Sequence, residues 1–170
     1  MTMNLNISRR SFIAGSAAVG GGLALGMQFP FGPGVVRAAD GSPEIGVWVV
    51  IRPDDTVVIR VVRSEMGQGT ITGLAQMVAE ELECNWSKVV IEYPTPGESV
   101  KRKRAWGDFS TGGSRGIRTS HEYVRKGGAA ARMMLVQAAA SQWSVPASEC
   151  VAANSVITHA ASKRWRTSST

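Results

Sequence analysis

Cysteine and histidine are scarce in this 170-residue sequence, where Cys84, Cys150, His121 and His159 are the whole supply. No Cys-x-x-Cys pair and no His-Glu-x-x-His spacing occurs, so no zinc or iron–sulfur site built from protein ligands can be read. Free cysteine behaves as a small hydrophobe, and both thiols read as packing residues, with a disulfide between them left open for an oxidising compartment. The phosphate-loop pattern GxxxxGK[ST] is absent. GxGxxG fails as well, because Thr72 stands where the third glycine belongs and Gly73 comes one place late. With Glu92 as the acidic partner, a nicotinamide-dinucleotide site survives only as an alternative.

Apolar residues make up 44% of the chain and charged ones 19%, the balance of a globular protein of about one domain. Residues 1–39 stand apart. They hold Arg9 and Arg10 but no acid, then a Gly- and Ala-rich apolar stretch from Ile13 to Met27, then Val36-Arg37-Ala38-Ala39. That order is a secretory leader, and its apolar part falls short of the ~20 residues a membrane-spanning helix needs. The arginine pair resembles the twin-arginine type, which exports folded proteins and so implies a cofactor inserted beforehand. The expected destination is the periplasm, with membrane association left open. Removing 1–39 takes away three arginines and no acid, lowering the formal net charge from +6 to +3. The remaining basic run, Lys101 to Arg104, is too short for a nucleic-acid tail and reads as a solvated loop.

Periodicity predicts an α+β fold. Val47–Ile51 and Val57–Val62 are rich in β-branched residues and flank Arg52-Pro53-Asp54-Asp55-Thr56, so they form a β-hairpin. Leu74, Met77, Val78 and Leu82 recur at helical spacing, with Glu80, Glu81 and Glu83 as a polar face. Val89–Tyr93 is a further strand. From Gly116 to Trp143 a longer helix is predicted, its apolar stripe at Met134, Leu135, Ala138 and Ala139, loosened at Gly127-Gly128.

Two glycine loops precede these helices. One holds Gly67, Gln68, Gly69 and Thr70; the other holds Ser110, Thr111, Gly112, Gly113, Ser114 and Arg115. A helix start exposes unpaired N–H groups, glycine lets a ligand touch the backbone, and hydroxyls and a guanidinium add donors. Together they suit a large anionic ligand. Each loop taken alone reads first as a turn with an N-cap, and only the pair together brings the ligand reading level with it.

The segments Arg52–Pro94, with "SEMGQGT" followed by "LAQMVAEEL", and Trp106–Cys150, with "WGDFSTGGSRG", resemble the molybdopterin-binding subunit of the xanthine dehydrogenase and aldehyde oxidase family. The exported isoquinoline 1-oxidoreductase branch is the nearest likeness. The resemblance covers residues 45–161. It implies an oxidoreductase that hydroxylates an aldehyde or N-heterocycle with water as oxygen source. The cofactor would be molybdenum-molybdopterin, plain or as its cytosine dinucleotide, with electrons passed to a small [2Fe-2S] partner subunit. It also implies that Gly67, Gln68 and Gly69, with Thr111, Gly112, Gly113, Ser114 and Arg115, lie against the pterin and phosphate of the cofactor. The metal is held by the pterin dithiolene, so no protein ligand is expected. The catalytic glutamate of the family has no counterpart here, and no residue is assigned a catalytic role.

The organisation expected is therefore a twin-arginine leader over 1–39, the N-terminal part of a molybdopterin-binding domain over 40–161, and an aberrant or truncated tail over 162–170. A non-catalytic exported remnant, or an assembly partner of the iron–sulfur subunit, is the second reading.

Overall fold

The computed structural model describes residues 45–168; the leader expectation, with Arg9 and Arg10, lies outside the described residues. Strand β1 (Val49–Ile51) pairs antiparallel with β2 (Val57–Arg60), Val50 opposite Val58, as the hairpin pattern requires. The turn is held by Asp54, whose carboxylate accepts the Thr56 N–H at 3.0 Å. Helix α1 (Thr70–Leu82) follows, and β3 (Val89–Glu92) returns parallel to β2 with Ile59 opposite Ile91. This β2–α1–β3 crossover puts the first glycine loop at the carboxyl end of β2.

Every residue of β1 and β2 is buried, Arg60 included. The Arg60 guanidinium lies 5.4 Å from the Trp106 ring centroid, and that of Arg102 lies 5.1 Å from it. Cation–π contact lets apolar surroundings accept these charges. Arg102 of the basic run is thus a packing residue. It follows a short helix α2 (Pro96–Lys101), started by the Thr95 hydroxyl, which accepts the Glu98 N–H at 3.1 Å.

The longer helix is divided at its start. A single turn, α3 (Arg115–Arg118), precedes α4 (His121–Trp143). Helix α4 runs unbroken through Gly127 and Gly128, which corrects the expected loosening. A Cβ on Gly128 would lie 2.6 Å from the Val78 carbonyl oxygen, so the glycine serves close approach of α4 to α1. The buried stripe of α4 is accordingly Val124, Gly128, Ala131, Ala139 and Ala140, while Met133 and Met134 are exposed. On α1 the expected positions hold: Leu74, Val78 and Leu82 are buried, with Met77 packed beside them.

A second sheet lies beyond α4 in the chain and was not anticipated. Strands β4 (Cys150–Ala153), β5 (Val156–His159) and β6 (Arg164–Thr167) form an antiparallel meander. Asn154 and Ser155 both have positive φ, 51° and 64°, which joins β4 to β5 through a two-residue turn with the twist that hairpins favour. The turn docks on the end of α1, where Ser155 N–H donates to the Glu83 carbonyl at 2.8 Å. Strand β6 falls within the stretch expected to be an aberrant tail. Its Arg164 donates to the Trp143 carbonyl at 2.9 Å and Arg166 to Gln142, setting cations at the negative end of α4. Buried His159 is held at both ring nitrogens, with Nδ1 2.7 Å from Ser162 Oγ and Nε2 2.9 Å from the Glu149 carboxylate. No helix among the described residues is long and apolar enough to cross a membrane.

Candidate functional site

The two glycine loops, remote in sequence, meet at the N-terminal end of α1. The Ser64 N–H donates to the Thr111 hydroxyl at 2.9 Å. Deeper in, Arg63 is 5% exposed and reaches across the same gap. Its Nε donates to Ser120 Oγ at 2.9 Å, one terminal nitrogen to the Ser110 carbonyl and the other to Thr119 Oγ1 at 3.4 Å. The α1 and α3 starts also touch: a Cβ on Gly116 would meet the Thr70 side chain at 2.9 Å, leaving room there only for glycine.

Around this seam the predicted residues are brought together. Gly67, Gln68, Gly69, Gly112, Gly113, Ser114 and Arg115 are exposed, and Thr111 is half-buried beneath them. The positive φ of Gly67 (93°) and Gly69 (74°) explains the spacing of the two glycines, because a side chain at either would be strained. Arg115 folds back over its own loop, its Nε donating to the Gly112 carbonyl at 3.0 Å and its guanidinium to Ser110 Oγ. Arg118 stands exposed beside it, 3.5 Å from the Gly113 carbonyl. The face therefore carries two guanidinium groups, hydroxyls and open backbone.

Sequence reasoning missed Glu65 and Arg63. Glu65 Oε1 accepts the N–H groups of Gly67 at 2.8 Å and Gly69 at 2.9 Å, and Oε2 accepts that of Ile71 at 3.1 Å. These bonds, from Ile71 and Gly69 foremost, hold the Glu65 carboxyl below its ordinary value, since donors favour the charged form. Gln68 also turns inward: its Oε1 accepts the Met66 N–H at 2.6 Å and its Nε2 donates to the Ser64 carbonyl at 2.8 Å. A signal for Glu65 existed in its place four residues before the glycine that caps the helix, where an acid complements the dipole. For Arg63 there was none, because a buried arginine at a strand end looks like any solvated one.

Neither thiol faces this seam's chemistry. Both cysteines are free, and burial pushes the Cys84 thiol up to about 11. Among the described residues no group of three His, Cys, Asp or Glu side chains could hold a metal ion.

The chain matches the model of the molybdopterin cofactor-binding domain family over residues 5–169. It is 34% identical over 169 residues to isoquinoline 1-oxidoreductase subunit beta of Brevundimonas diminuta, a match taking in 96% of this chain and 21% of that protein. It is 32% identical over 158 residues to the membrane-bound aldehyde dehydrogenase (pyrroloquinoline-quinone) of Gluconacetobacter polyoxogenes, across 89% of this chain and 19% of that one. Among solved structures, quinoline 2-oxidoreductase from Pseudomonas putida 86 superposes with a TM-score of 0.46 and 19% identity, over 71% of this chain and 15% of that chain. The chain thus spans only 21% and 19% of the lengths of its two curated relatives.

Proposed function

The chain belongs to the family of molybdopterin cofactor-binding domains, and we propose that it supplies one wall of the cofactor site of a molybdenum hydroxylase. The observation that carries this reading is the Ser64–Thr111 bond, which sets the two loops side by side on one exposed face. A phosphorylated pterin needs many hydrogen bonds and positive charge. Gly112, Gly113, Ser114, Arg115 and Arg118 offer both, and Gly67, Gln68 and Gly69 border them. When bound, the molybdenum–pterin group would supply the redox chemistry. Its dithiolene holds the metal, so the chain's task is to bind and orient.

On this reading the complete enzyme oxidises an aldehyde or an N-heterocycle, with water giving the oxygen. The names of the two curated relatives, an aldehyde dehydrogenase and an isoquinoline oxidoreductase, support that substrate class. A [2Fe-2S] subunit would take the electrons, and the cofactor would be the plain pterin or its cytosine dinucleotide. Arg9 and Arg10 support export by the twin-arginine machinery to the periplasm. The residues of this chain are assigned a binding role.

The name of the Gluconacetobacter relative carries a quinone, which makes pyrroloquinoline quinone the second reading. Chain purified from cells that make both cofactors separates the two. Molybdenum and pterin in a fixed ratio, both reduced by Arg115→Ala, would support the proposal. Quinone without molybdenum, or an unchanged pterin content in the variant, would refute it.

A further inference from the structure

We infer that Glu65 is the first glycine loop's own anion: a positioning residue whose carboxylate closes Gly67 and Gly69 to outside anions and leaves the cofactor's phosphate to the Thr111–Arg115 loop. The second half of this statement rests on the proposed cofactor role; the first half does not.

A phosphate at the start of α1 would need the N–H groups that point out of the loop and the first helical turn. In this chain three of them, those of Gly67, Gly69 and Ile71, converge on the Glu65 carboxylate. Neighbouring donors are committed as well. Ser64 N–H goes to Thr111 Oγ1, Glu65 N–H to the Tyr93 hydroxyl at 3.1 Å, and Met66 N–H to Gln68 Oε1. The carboxylate also matches the positive end of the helix dipole, so the loop's charge is already balanced. A phosphate brought alongside would lose those donors and meet a like charge. The second loop differs in both respects, since Arg115 and Arg118 bring positive charge next to the exposed Gly112 and Gly113.

The carboxylate division of labour sharpens the test, because Oε1 serves the two glycines and Oε2 serves Ile71. Amide exchange on the isotopically labelled full chain should find Gly67, Gly69 and Ile71 protected about tenfold relative to Gly112 and Gly113. Glu65→Gln, which keeps the loop's shape and one acceptor oxygen, should retain protection at Gly67 and Gly69 and lose it at Ile71. Glu65→Ala should lose all three.

Inorganic pyrophosphate, added as the probe, should shift the amides of Gly112, Gly113 and Arg115 in the wild type. It should reach Gly67 and Gly69 only in Glu65→Ala. Wild-type amides at Gly67, Gly69 and Ile71 that exchange as fast as those of Gly112, or that move with pyrophosphate, would overturn the role of Glu65. The expected exchange pattern with no pyrophosphate response at either loop would uphold Glu65 and count against the second loop as the phosphate site.

Discussion

Gly128 of α4 faces the Val78 carbonyl of α1 so closely that an added Cβ would lie 2.6 Å from the oxygen, with the Glu81 Cβ at 3.0 Å. The obstacle is backbone, which cannot step aside. Gly128→Ala therefore sets a helix-propensity gain of up to ~1 kcal/mol against an overpacking cost of ~1–3 kcal/mol, and the cost should win. At Gly127 the added Cβ would meet only the Trp48 side chain, at 3.2 Å. Gly127→Ala should be close to neutral. Urea midpoints of the two variants check this, with the slope unchanged if only stability has moved.

Arg63 should be the costliest polar side chain to remove near the seam. Its guanidinium is buried and serves Ser120, Ser110 and Thr119, with Asp108 3.8 Å away. Arg63→Met strands the Ser120 hydroxyl and the Ser110 carbonyl, a loss of ~3 kcal/mol for a broken buried charged network. Arg63→Lys keeps the charge but cannot fork to three acceptors, so it should fall between. Thr111→Val removes only the acceptor of the Ser64 N–H and should cost ~1 kcal/mol. Denaturant titration ranks the three, and equal effects would refute the network.

The parts that were legible in the sequence are those with local causes. The hairpin, α1 and β3 follow from β-branched runs, Pro53 with two aspartates, and a four-position helical stripe, all of which act over a few residues. Of the stripe expected on the longer helix, Ala139 is buried and Leu135 packs against the core, while Met134 is exposed, because Gly128 and Ala131 take the centre of the contact through close approach to α1. The meander β4–β6 was missed because its short strands mix alanine, histidine, arginine and threonine with few β-branched apolar residues. Its one local mark is the Asn154-Ser155 pair, where two successive residues take positive φ. At the site, glycine spacing picked out two loops that the fold brings side by side. It could not say that the N–H groups of Gly67 and Gly69 turn inward, since that depends on Glu65 bending back over residues that follow it.

Both thiols should react more slowly than a free one, Cys84 most clearly because it is the more deeply buried. Desolvation raises Cys84 to about 11 and raises Cys150 as well, the latter helped by the Glu149 charge. At about pH 8 a free thiol is partly ionised, while Cys84 in the folded chain is almost wholly protonated. Iodoacetamide labelling followed by mass analysis should leave Cys84 largely unmodified until denaturant is added. Rapid labelling of Cys84 in the native chain would show that the α1 C-terminus opens.

Acid should expose the Glu65 interaction as a defined step. The folded carboxyl titrates below its ordinary value because Ile71, Gly69 and Gly67 donate to it, so between the two values the unfolded chain binds more protons than the folded one. Its stabilisation is accordingly complete above the unfolded value near 4.5 and is lost as pH falls through the lower folded value. Asp54 and Glu122 are lowered too, by Thr56 and by Lys126, so acid weakens the wild type for several reasons at once. Glu65→Gln isolates the relevant one, since every other carboxylate is common to both proteins. The thermal midpoint of the wild type minus that of Glu65→Gln should be constant above the ordinary carboxylate range and shrink toward its floor below it. A difference that stays flat through the acid range would mean that the three N–H groups do not prefer the charged carboxylate, and the loop would then owe its shape to Gly67 and Gly69 alone.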